Sequence, residues 1–101
     1  MPGLRSRLAM LARHGQTVEL YQPLAPEGRA TYRPSPADIG SWHLAFRVAD
    51  LAALICDSEP CGWQVRGQVV TVTEGPGPIG AQLAYLHNAD GTTLEFIQLP
   101  G

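Results

Sequence analysis

Basic charge is scarce in this chain. Seven Lys and Arg residues face nine Asp and Glu, for a net charge of −2 and a pI near 5.8. Binding nucleic acid or an anionic membrane needs a concentrated basic surface, and Arg5, Arg7 and Arg13 are too few to make one. Neither partner is expected. Long apolar runs are also missing: no stretch approaches the roughly 20 residues that cross a bilayer, and Met1-Pro-Gly lacks the apolar segment of a signal peptide. The expectation is a soluble, cytoplasmic protein. Cysteine is limited to Cys56 and Cys61. Two thiols without a secretion signal make no disulfide framework, and their spacing is wider than a Cys-x-x-Cys redox pair. With no second Cys or His pair to complete a zinc ribbon, both read as structural or incidental.

What the chain does have is alternation. Over residues 41–48, large apolar side chains at Trp42, Leu44, Phe46 and Val48 alternate with His43, Ala45 and Arg47, the period-two pattern of a half-buried strand. His43 therefore faces away from the apolar side. Two further segments, Thr17-Val-Glu-Leu-Tyr-Gln22 and Thr93-Leu-Glu-Phe-Ile-Gln98, repeat one pattern in which a glutamate stands between apolar neighbours.

Taken in order, residues 4–13 fit either a helix or a strand, and the turn-like Arg13-His-Gly-Gln16 that follows favours the first arm of a hairpin. His14 reads as a solvated turn residue. Residues 23–40 carry Pro23, Pro26, Pro34, Pro36 and Gly28, the composition of a linker or long loop. Asp50 is a plausible N-cap for a short helix beginning at Leu51, which Ser58-Glu-Pro-Cys-Gly62 stops. Residues 63–73 read as a strand bent at Gly67, residues 81–86 as the next and 92–99 as the last, with Asp90-Gly91 as the turn signal. Gly75, Gly77 and Gly80 match G-x-G-x-x-G literally. A dinucleotide site needs that motif between a strand and a helix, and here a strand follows.

The order from residue 41 is thus strand, helix, strand, strand, strand. His43 precedes Glu95 by 52 residues, whereas only 18 residues precede Glu19, so the first repeat is expected to lack its own opening strand and helix. One domain of 101 residues is anticipated, with residues 4–22 as a remnant of a first module, 23–40 as linker and 41–101 as a complete second module. Side chains repeat every second residue along a strand, so Glu19 and Glu95 point away from Val18, Leu20, Leu94 and Phe96. If a curved sheet closes that face into a cleft, Glu19, His43 and Glu95 converge. One imidazole with two carboxylates and no thiolate suits a divalent Fe, Mn, Ni, Co or Zn ion with positions left for substrate. Tyr21 and Arg47 share the cleft-facing parity and are candidate substrate contacts.

Three segments, Trp42-His-Leu-Ala-Phe-Arg-Val-Ala-Asp50, Asn88-Ala-Asp-Gly-Thr-Thr-Leu-Glu-Phe-Ile-Gln98 and Val18-Glu-Leu-Tyr-Gln-Pro-Leu24, resemble the vicinal oxygen chelate superfamily of glyoxalases, bleomycin-resistance proteins and ring-cleaving dioxygenases. The resemblance implies an α+β fold of paired βαβββ modules, whose curved mixed sheet forms a cleft around one metal, here with the first module incomplete. It implies His43 and Glu95 as metal ligands of the second module and Glu19 as the ligand ending the first. Within the superfamily the motifs are most similar to methylmalonyl-CoA epimerases. The expected function is a metal-dependent lyase, isomerase or dioxygenase acting on a small oxygen-rich molecule. The alternative is a metal-free, drug-sequestering binding protein of the bleomycin-resistance type. Uncovered sheet edges favour pairing with another chain, so a homodimer is expected.

Overall fold

The structure is a computed structural model that describes residues 3, 5–25, 27, 28, 30 and 35–101. It divides into two compact units, residues 1–30 and 31–101. Leu4 and parts of the expected 23–40 linker lie outside the described residues.

The first unit is an antiparallel hairpin of β1 (Arg5–Arg13) and β2 (Gln16–Ala25). Its connection is short because His14 and Gly15 both adopt positive φ, +52° and +75°, as a two-residue turn matched to the twist of the strands requires. Of the expected 4–13 segment, Arg5–Arg13 is therefore strand, the arrangement that the turn composition favoured. β2 runs on through Pro23 to Ala25, past the expected end at Gln22, and a register irregularity between Arg5 and Ser6 accommodates it. Proline is tolerated at such an edge position. Arg7 donates to Gln22 Oε1 across the strands.

The second unit follows the strand-helix-strand-strand-strand order: β3 (Leu44–Arg47), α1 (Leu51–Ser58), β4 (Gln64–Thr71), β5 (Gln82–His87) and β6 (Thr93–Gln98). The sheet order is β3-β6-β5-β4, with β3 parallel to β6 and the other pairs antiparallel. Asp50 is the helix N-cap and accepts from the Ala53 amide at 3.0 Å, a contact that contributes about 1 kcal/mol in such positions. Gln98 Oε1 accepts from the Leu51 amide at 2.7 Å, so the end of the last strand satisfies another amide at the helix start. Pro60 lies in the 3-10 turn after α1, and Gly62 closes it with φ +92°.

Two register effects aim side chains. β4 pairs Val65 with Leu86 and Arg66 with Tyr85, then shifts before Val70 pairs with Leu83, with Gly67 at φ +76° where the sequence anticipated a bend. The glycine-containing loop at 74–80 joins β4 to β5 and leads into no helix. Leu51, Ala84 and Leu86 form the buried cluster, with Leu54, Ile55, Trp63, Val65 and Phe96 packed on it. These side chains occupy the face covered by α1. Arg66, Tyr85 and Glu95 are on the other. Among the described residues, no helix is long and apolar enough to cross a membrane.

Candidate functional site

β3 is shorter than the alternation of residues 41–48 suggested, and His43 stands one residue before it. Its parity holds. Parallel pairing sets Ala45 beside Glu95 and Phe46 beside Phe96, and the phenyl rings of that pair stack at 5.7 Å on the helix side. Trp42 departs from the expectation: it is 67 % exposed rather than part of the apolar face. It precedes the first ladder bond, so the pleat does not dictate its direction, and its ring lines a cleft with His43.

His43 Nε2 and Glu95 Oε1 are 2.9 Å apart, with side-chain exposures of 39 % and 13 %. A carboxylate only accepts, so His43 donates through Nε2. Antiparallel pairing of Tyr85 with Glu95 adds a third group. The His43 and Tyr85 rings meet edge to face, with centroids 5.2 Å apart and planes at 84°, the arrangement that sets a ring's positive edge against a π face. Burial first, then the Glu95 charge and a hydrogen bond to it, hold the Tyr85 phenol above the ordinary tyrosine pKa. Tyr85 was not among the sequence candidates. Its signal was present, since it shares the cleft-side parity of β5, but only the register brings it beside Glu95.

The cleft has a volume of about 590 Å³ and lies within the second unit, with Trp42, His43, Arg66, Tyr85 and Thr93 on its walls. The 88–92 turn forms one rim. Asn88 Oδ1 accepts from the Asp90 and Thr92 amides at 3.1 and 3.0 Å, and Gly91 takes φ +84°. Arg47 ends β3 opposite Ile97 and is exposed, outside the cleft walls. Glu19 and Tyr21 belong to the first unit, on β2 opposite Met10 and Leu8. Among the described residues, no group of three or more His, Cys, Asp or Glu side chains is gathered for a metal ion. Cys56 and Cys61 are free and exposed.

Tyr85 carries a pH consequence. A phenol whose folded pKa lies above its unfolded one binds its proton more tightly when folded, so its contribution to stability is whole below the unfolded pKa and is lost as pH rises through the folded one. The Tyr85→Phe protein should lack the late-ionising phase of a spectrophotometric phenol titration. Retention of that phase would place the raised pKa on another tyrosine.

No protein-family model matches the chain, and no curated protein matches it. Solved structures do. A glyoxalase family protein from Bacillus cereus superposes with a TM-score of 0.77 over 97 % of this chain at 19 % identity. The fold is glyoxalase-like. A glyoxalase family protein from Enterococcus faecalis superposes with a TM-score of 0.60 over 94 % of this chain and 76 % of its own, at 19 % identity. The protein SMU.1112c does so at 0.65, over 91 % and 69 %, at 23 % identity. The chain spans 64 % of the length of the Bacillus cereus protein. The glyoxalase-like fold thus agrees with the α+β architecture expected from the motifs, within this chain as one βαβββ unit accompanied by a hairpin.

Proposed function

We propose that this protein is a glyoxalase-like, metal-dependent lyase, isomerase or dioxygenase acting on a small oxygen-rich substrate, with His43 and Glu95 as two ligands of a divalent Fe, Mn, Ni, Co or Zn ion. The observation that carries the reading is the 2.9 Å approach of Nε2 to Oε1 between residues 52 apart. An imidazole nitrogen and a carboxylate oxygen placed side by side fit such an ion as part of its ligand set. To ligate, His43 must carry its proton on Nδ1 instead of Nε2, as a neutral imidazole can. When bound, the ion supplies Lewis-acid polarisation of a substrate oxygen. Tyr85, whose pKa burial and Glu95 raise, is a hydroxyl donor within the same cleft. Epimerase-like proton removal and return beside a carbonyl, the chemistry that the finer motif likeness suggests, belongs to this class.

Metal content by mass spectrometry tests the reading: near-stoichiometric metal in the wild type should disappear in His43→Ala. Metal unchanged in that variant would remove His43 from the ligand set. Glu19 keeps its sequence-derived candidacy as a further ligand, and the same measurement on Glu19→Ala decides it.

One observation favours a second reading, a metal-free small-molecule binding protein of the bleomycin-resistance type. His43 and Glu95 satisfy one another by a hydrogen bond, so the pair can stand without an ion beside the apolar wall of Trp42. Tight binding of an aromatic ligand by metal-stripped protein would select it. A homodimer is also proposed, because Leu8, Met10, Leu11 and Leu20 of the hairpin are more than half exposed and a two-stranded hairpin is marginal alone. Light scattering at micromolar concentration should give twice the chain mass, and a monomer would contradict it.

A further inference from the structure

Among the described residues, Arg66 is the only arginine on the cleft wall. The sequence left it unassigned, and the register of β4 against β5 turns it to the side of Tyr85 before the ladder shifts. It is half-buried, yet among the described residues no carboxylate forms an ion pair with it. Glu95 is engaged by His43 and stands beside Tyr85 on the neighbouring strand, and Asp90, the other acid at the cleft, sits exposed on the rim. Withdrawing a guanidinium from water without a partner is costly, and an anion brought from solution removes that cost.

We infer that Arg66 anchors the carboxylate of a small planar organic acid, which lies along Trp42 and turns its reacting oxygen toward His43. This rests on the proposed reading that the cleft is the functional site. The guanidinium fork matches a carboxylate with two parallel hydrogen bonds. Arg66 with Asp90 nearby suits a monoanion better than a phosphate dianion, which Asp90 would repel. The exposed indole of Trp42 offers a flat surface for an unsaturated or aromatic body. About 590 Å³ accommodates a ligand of that size.

The test compares phenylglyoxylate with its uncharged amide by isothermal titration calorimetry on the wild type, Arg66→Lys and Arg66→Gln. The wild type should bind the acid at least about tenfold more tightly than the amide, the ratio expected for a charge-assisted hydrogen bond. Arg66→Gln should erase that preference, Arg66→Lys should keep part of it by retaining charge without the fork, and Trp42→Ala should weaken both probes alike. Equal binding of acid and amide by the wild type, no binding of either, or a preference that survives Arg66→Gln would overturn the inference. The decisive acid–amide comparison needs no variant, so a folding defect in one does not blunt it. Metal content of the same samples separates the two ideas: a wild type that holds metal and shows no acid preference refutes the anchor alone, and a wild type without metal that keeps the preference refutes the metal reading alone.

Discussion

Leu86→Ala is expected to destabilise the second unit by about 2–5 kcal/mol, the cost of removing a buried leucine side chain and leaving the cavity partly unfilled. Leu86 is 1 % exposed and lies on the sheet face covered by α1, in one cluster with Leu51 and Ala84. Among the described residues, Leu51 and Leu86 are the large side chains most fully withdrawn from water. Few other contacts can absorb the loss. A single domain has only about 5–15 kcal/mol of net stability, so this truncation takes a large share of it. Urea unfolding followed by circular dichroism should show a much earlier midpoint. Leu86→Ile, which keeps the volume, should cost less than about 1.5 kcal/mol. Equal losses for the two variants would mean that side-chain shape on β5, rather than filled volume, decides the stability.

Under the proposed metal reading, Glu95→Gln is expected to weaken metal retention by roughly a hundredfold or more, at or beyond the upper end of what loss of an outer-shell partner costs. The amide preserves the shape of the side chain and one accepting oxygen, and it removes the negative charge. His43 would keep a neighbour, whereas a cation would lose an anionic ligand. The same substitution has a second readout. The Glu95 charge and a hydrogen bond to Glu95 are two of the causes that raise the Tyr85 pKa, so the phenol should ionise earlier, with burial still holding it up. Metal competition assays and phenol titration then report on the two roles separately. Unchanged metal affinity beside a shifted phenol would assign Glu95 to the support of Tyr85 and remove it from the ligand set.

Much of the second unit was legible because its signals are local. A strand shows itself by alternation, and Thr93 to Gln98 carries that pattern within its own span. Asp50 announces a helix start because its side chain competes for an amide three residues away. The His14-Gly15 turn requires positive φ at both positions, which the composition of Arg13-His-Gly-Gln16 hinted at. Where the pattern misled, the ladder was absent: Trp42 obeys no alternation because it lies before the first paired residue of β3. β2 outran its expected end because its bonding to β1 continues past Pro23, a fact about the partner strand rather than about residues 23–25.

By itself the sequence determined the order of elements, the face on which His43 and Glu95 stand, and the chemistry those side chains can perform. The tertiary structure alone decided which of them meet. Parallel pairing of β3 with β6 converts a separation of 52 residues into a 2.9 Å contact. Antiparallel pairing of β5 with β6 brings Tyr85 to the same carboxylate, and the register of β4 before its shift brings Arg66 to the cleft wall. Register is a property of two strands together, fixed by burying Leu86, Ala84 and Phe96 on one side, and a one-residue slip would send every one of these polar groups to the opposite face.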